Sequence, residues 1–244
     1  NGSLHAVASQ SRSIYSTAIE YRTTVLYVAL HKERGMTERR GRGRPRENDS
    51  DTSAAISRAA LQRFAAQGFD ATSLRGIASD AGVDVALISY RFGGKLGLWK
   101  DIVSQAGTGL REALERALDD SETTGALKRL EHSAHAFLAY LLDRPEVPRL
   151  LLRDITIDSD RSKWLLETLS LPLHRHFIEL AQAAAEERDK TPAHLEFRVA
   201  NFIYSAASTV ARRERLGKLV SGVEDNAQFA AALEEVLVKG ALMP

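Results

Sequence analysis

Residues 72 to 95 read TSLRGIASDAGVDVALISYRFGGK, and the fold is decided there. Leu74, Ile77, Ala78 and Ala81 recur at i, i+3, i+4 and i+7, the spacing of one buried helix face, and Thr72 or Ser73 stands where an N-terminal cap belongs. Gly82 then permits a tight turn, Val83 returns an apolar side chain to the core, and Asp84 caps a short helix reaching Phe92. Gly93 and Gly94 end it. Upstream, Ile56, Ala60, Phe64 and Ala65 share one face of a helix predicted over residues 52–67, closed by Gly68. Two short helices joined by a glycine-containing turn and braced by a third make a helix-turn-helix module.

On a wheel turning about 100° per residue, Ile88 and Phe92 face the core, while Ala86 and Tyr90 point away from it, flanked by Leu87 and Ser89. Val85 and Arg91 lie toward the edges. A DNA major groove roughly 12 Å wide admits a helix, and small side chains let its backbone approach base edges. Val85, Ala86 and Leu87 suit thymine methyl groups, and Ser89 can donate or accept a hydrogen bond. Tyr90, Arg91 and Lys95 are better placed on phosphates, which fix register without reading sequence.

Phe64, Gly68, Thr72, Ser73, Ile77, Ala78, Ala81, Gly82 and Val83, followed by Ile88, Ser89, Tyr90, Arg91, Phe92, Gly93, Gly94, Lys95 and Leu98, together resemble the signature of the TetR family of transcriptional regulators. The resemblance implies an all-α homodimer: a three-helix N-terminal helix-turn-helix DNA-binding domain on a six-helix C-terminal domain for ligand binding and dimerisation. It further implies a palindromic operator on double-stranded DNA and a small-molecule effector that releases a repressor. Thr72, Ser73, Tyr90 and Lys95 become the backbone-contacting set, and Val85, Ala86, Leu87 and Ser89 the base-facing set. The sequence departs from the pattern at Ser89, where many members carry tyrosine; Tyr90 takes the anchoring role instead. A ligand-independent or activating DNA-binding regulator is the alternative reading.

Ahead of the module, residues 39 to 46 hold five arginines with glycine and proline and nothing to pack. Arg42, Arg44 and Arg46 lie in a segment resembling the Arg-Gly-Arg-Pro core of an AT-hook, whose arginines enter a narrow A·T minor groove. Met36 is the expected natural start, so residues 1–35 are set aside from fold reasoning. The division expected is an extension and basic arm over residues 1–50, the DNA-binding head over 51–95 and the regulatory body over 96–244.

Charge follows this division. Residues 36–95 carry 10 basic and 7 acidic groups, and residues 96–244 carry 19 and 23, beneath a net charge of only +1. A basic front on an acidic rear suits a polyanion-binding head. The absence of cysteine excludes disulfides, thiolate nucleophiles and cysteine-ligated zinc, and suits a cytoplasmic protein. No apolar run approaches the ~18 to 20 residues of a membrane span, so no membrane partner is expected. No nucleophile elbow, phosphate-binding glycine loop or dinucleotide fingerprint is present, so no enzyme and no cofactor is expected.

From Lys95 onward the periodicity predicts helices near residues 95–121, 125–143, 146–156, 161–187, 192–213 and 225–239, the fourth kinked by Pro172. In the last two, Phe197, Val199, Phe202, Ile203 and Ala206, with Phe229, Leu233, Val236 and Leu237, supply stripes for an intersubunit four-helix bundle. Candidates for an effector pocket are Trp99, His135, Phe137, Tyr140, Trp164, His174, Phe177 and Tyr204, drawn from the aromatic and imidazole groups of these helices. The pairs His132 with His135 and His174 with His176 have no evident third ligand, so no metal is expected.

Overall fold

The computed structural model describes residues 47–119, 125–155 and 158–242 and contains no strand among them. Three helices form the head: α1 (Glu47–Gln67), α2 (Leu74–Ala81) and α3 (Val85–Phe92). The body follows with α4 (Lys95–Leu118), α5 (Ala126–Asp143), α6 (Glu146–Ile155), α7 (Asp160–Leu165), α8 (Leu171–Glu187), α9 (Leu195–Ala211), the short α10 (Arg213–Leu216) and α11 (Asn226–Leu233). A π-type turn, Leu166–Ser170, joins α7 to α8, and a second π-type segment, Glu234–Leu242, continues α11.

The segment expected as one kinked helix over 161–187 is therefore two α-helices spliced by a π turn. Pro172 is the second residue of α8. Proline has no N–H to give the carbonyl four residues back and crowds it, and a π turn is one of the few ways a helix absorbs that defect without ending. The final helix also runs further than expected, to Leu242 rather than residue 239.

Two apolar cores result. In the first, Ile56, Ala60, Phe64, Ile77 and Ile88 of the head meet Leu98, Trp99, Ile102 and Val103 of α4, with Leu150 of α6 and Leu165 of α7. The core of the head thus runs past residue 95 into the body. The second core centres on Phe137, Phe177 and Phe202, whose ring centroids lie 5.4 to 5.7 Å apart. Helix α6 belongs to both: Val147 is buried in the body core and Leu150 in the head core.

The join between α3 and α4 depends on three glycines. Gly93 and Gly94 take φ of 71° and 98°, the left-handed region open to residues without a Cβ. Gly97 is helical, yet a Cβ there would sit 1.7 Å from the carbonyl oxygen of Phe92. That carbonyl is part of the backbone and cannot rotate away. By contrast, a Cβ on Gly107, further along α4, would come to 3.2 Å of the movable Leu169 Cδ1. We expect Gly97→Ala to destabilise the protein by about 3 kcal/mol or more. Gly107→Ala, which gains helix propensity, should stay within about 1 kcal/mol of the parent. Urea denaturation of both variants checks the contrast.

Candidate nucleic-acid interface and internal cavity

The turn between α2 and α3 is fixed by local hydrogen bonds. Ser73 caps α2, its hydroxyl accepting from the Gly76 amide at 3.1 Å. At the far end Gly82 is left-handed, the Val83 amide donates to the Ala78 carbonyl at 3.0 Å, and the Gly82 amide donates to that of Ser79 at 3.3 Å. This pairing is a Schellman closure. Asp84 then caps α3, accepting from the Ala86 amide at 2.6 Å. Arg63 of α1 braces α2 through a two-pronged pair with Asp80, at 2.5 and 2.8 Å.

Held in this way, α3 turns Ile88 inward with no exposure and leaves Ala86, Ser89 and Tyr90 outward, Tyr90 being 89% exposed. Val85 and Leu87 are half-buried at the edges of that face, in contact with the core. Arg91 is tied back to α1, donating to the Ser53 hydroxyl at 2.5 Å. Arg42, Arg44 and Arg46 lie outside the described residues.

Two members of the backbone-contacting set face the other way. The Thr72 side chain is buried and donates to the Gly68 carbonyl at 2.7 Å. Lys95 Nζ donates to the carbonyls of Phe69 and Thr72, both at 2.9 Å, and of Asp70 at 3.3 Å, and stands 4.4 Å from the centre of the Phe69 ring. Both residues satisfy carbonyls left over where α1 ends and the chain turns toward α2. In this structure both polar groups are engaged within the loop. Arg153 of α6 completes the arrangement, donating to the Ala66 carbonyl at 2.7 Å. No periodicity in the sequence marks Arg153 as a contact of the head, because its partner lies 87 residues away.

Inside the body lies an apolar cavity of about 60 Å³. It is bounded by α4, α5, α6, the π turn, α8 and α9, and α6 supplies Val147, Pro148, Leu151, Leu152 and Ile155. Of the eight pocket candidates, Phe137, Tyr140, His174 and Tyr204 line it. The other four lie elsewhere. Phe177 is wholly buried in the phenylalanine cluster, and Trp99 is wholly buried against Trp164, 5.6 Å between ring centres, in the head core. His135 points at Glu234, with Nε2 to Oε1 at 3.7 Å. Their residue types make all eight candidates without saying which neighbour each meets.

The imidazole pairs are likewise spent separately. His174 Nδ1 is 2.7 Å from the Ser170 carbonyl and His176 Nε2 is 3.2 Å from the Ser133 hydroxyl. Among the described residues no three His, Asp or Glu side chains gather as a metal site. No described helix is long and apolar enough to cross a membrane. In the bundle stripes, Val199, Phe202, Ile203, Ala206, Phe229, Leu233 and Leu237 are buried within the one chain, whereas Phe197 and Val236 stay 74% and 64% exposed; Tyr204, on the same helix as Phe197, is 40% exposed.

An exposed short helix on a fixed helix-turn-helix, carried by a helical body with an internal cavity, defines a class: the all-helical, DNA-binding regulators of transcription. Residues 56–102 match the family model for bacterial regulatory proteins of the tetR family. The chain is 31% identical over 157 residues to the probable HTH-type transcriptional regulator YttP of Bacillus subtilis (strain 168), a match covering 64% of this chain and 74% of that protein. Among solved structures, a bacterial regulatory protein of the tetR family from Rhodococcus RHA1 superposes with a TM-score of 0.64 at 21% identity, covering 79% of this chain and 98% of that one. The TetR family transcriptional regulator PfmR from Thermus thermophilus superposes at 0.58 and 17% identity, covering 76% and 97%. The chain belongs to the TetR family and is a DNA-binding transcriptional regulator.

Partial burial of His176 pushes its imidazole below the ordinary 6.5, with Arg129 adding to the shift and Glu179 and Glu115 opposing it more weakly. The unfolded chain therefore takes up a proton that the folded chain refuses. Stability from this source is complete above the ordinary histidine pKa and falls as pH drops through it. We expect the urea midpoint to decline between about pH 7 and pH 5.5, and to decline less steeply in His176→Gln, which keeps a polar partner for Ser133.

Proposed function

We propose that the chain works as a homodimeric repressor whose grip on a palindromic operator is released by a small molecule held in the body. One observation carries this reading: α3, anchored on α1, α2 and the α4 junction, leaves Ala86, Ser89 and Tyr90 as its outward face. In this reading Ala86 and Ser89 approach base edges, with Val85 and Leu87 at the flanks. Tyr90, Ser73 and Arg91 hold phosphates. Thr72 and Lys95 act indirectly, by keeping the α1–α2 loop in shape. The basic arm, with Arg42, Arg44 and Arg46, adds minor-groove contact beside the head of residues 51–95, while the body of residues 96–244 pairs the subunits. The exposed Phe197, Tyr204 and Val236 support pairing through α9 and the last helix.

The release mechanism rests on α6. One side of this helix lines the cavity, while Arg153 in its last turn holds the end of α1 and Leu150 is packed into the head core. A ligand that enlarges the cavity displaces α6, and with it the head. Two heads whose recognition helices no longer lie one DNA turn apart, about 34 to 36 Å, lose the operator. The ligand must bind the displaced arrangement more tightly, since equal affinity for both shifts nothing.

Footprinting on the DNA upstream of the gene, across a salt series, tests the reading. A dimer protecting a palindrome is expected, with Tyr90→Ala weakening binding by about ten- to a hundredfold through loss of a hydrogen bond to a charged phosphate. Removal of residues 1–46 should make the salt slope shallower by roughly five, about 0.9 for each of the six arginines that Arg42, Arg44 and Arg46 supply from the two arms of a dimer. Full affinity in Tyr90→Ala would sink the docking of α3 on the operator backbone through Tyr90.

A further inference from the structure

A second concavity adjoins the cavity of the body. It is an open cleft of about 490 Å³ between α4 and the π turn with the start of α8. Leu110, Leu169 and Leu173 line both spaces. They are a wall one side chain thick, and two of them, Leu169 and Leu173, are only partly buried. Leu169 rests on α4 where that helix has no side chain, at Gly107.

The chemistry on the two sides of this wall differs. The inner space is almost wholly aliphatic and aromatic, and two of its polar groups are engaged: the Tyr140 hydroxyl donates to the Ala106 carbonyl at 2.7 Å, and His174 Nδ1 is held by the Ser170 carbonyl. Such a space takes hydrocarbon. The outer cleft presents the side chains of Ser104, Thr108 and Thr168. Its two formal charges, Arg111 and Glu115, lie 3.7 Å apart and cancel. His176 also lines it, and burial lowers the pKa of its imidazole. The cleft therefore offers hydrogen bonds without a net field, which favours neither an anion nor a cation.

We propose that cleft and cavity are two ends of one channel for an uncharged, single-chain amphiphile, whose tail passes between Leu169 and Leu173 and whose hydroxyl or amide head rests on Ser104, Thr108 and Thr168. Insertion of the tail widens the space along α6. The channel names the chemical class of effector in the function proposed above and rests on that reading for its regulatory meaning, though not for binding itself.

Equilibrium dialysis of the full chain against straight-chain alcohols tests it, with the carboxylate and the trimethylammonium of equal chain length as charged counterparts. Affinity should rise about fourfold for each methylene from octanol to decanol, the free energy of burying one such group, and decanol should bind more tightly than either counterpart. Leu169→Trp should abolish binding by filling the gap. Should that variant fail to fold, Thr168→Val and Ser104→Ala, both at exposed positions, provide a second reading: each should weaken decanol several-fold, while Arg111→Ala leaves it unchanged. Tighter binding of the carboxylate, affinity indifferent to chain length, or no binding at all would overturn the channel. Decanol binding that leaves the operator complex intact would support the channel and refute only the effector role.

Discussion

Phe69 lies between two cations. The Arg161 guanidinium stands 4.0 Å from the centre of its ring and the Lys95 ammonium 4.4 Å, while Phe64 stacks on it at 5.7 Å and Trp99 meets it edge-on at 6.4 Å. Each cation–π contact is worth about 0.5 to 2 kcal/mol according to how dry it is. The greater effect is geometric: the ring lets one positive group from α4 and another from α7 converge on the same turn between α1 and α2. Lys95 neutralises the carbonyl end of that turn, and Arg161 is held in place by Asp154 at 3.0 Å. These contacts tie α4 and α7 of the body to the turn between α1 and α2 of the head.

Asp154 is nearly inaccessible, and a buried carboxylate is costly unless paired. Its pairing with Arg161 spans the connection between α6 and α7, so the helix that lines the cavity and the residue that grips Phe69 are electrostatically joined. Removal of Arg161 would leave Asp154 without its cation in a dry site, whereas Arg161 without Asp154 would keep only the more distant Asp70, at 3.8 Å. A packed apolar junction of the same size would tolerate sliding; this one has discrete hydrogen-bonded positions.

The head is legible in the sequence because its determinants are local. Ser73, Gly82, Asp84 and Gly93 act within a few residues of themselves, and the core positions Ile77 and Ile88 follow helical periodicity. Lys95, Thr72 and Gly97 are not legible in the same way. Each of them depends on where a carbonyl falls after folding, which no residue spacing records. The body shows the same limit more broadly. Its helices can be placed from amphipathic pattern and breakers, yet Phe177 and Phe137, one in the core only and the other also facing the cavity, are indistinguishable as letters. The π turn shows in the sequence only as a kink, because Pro172 announces a missing hydrogen bond and not how the backbone compensates.

That turn gives the body a property that straight helices lack. A π turn is to a helix what a dislocation is to a crystal row: one extra residue inserted among regular neighbours. Advancing it by a position exchanges one backbone hydrogen bond for another, while each side chain it passes is re-aimed by about 100°. Leu169 and Ser170 sit on this defect at Leu166–Ser170. The part of the wall that Leu169 supplies is therefore drawn from the stretch between α7 and α8 that can change its facing without melting.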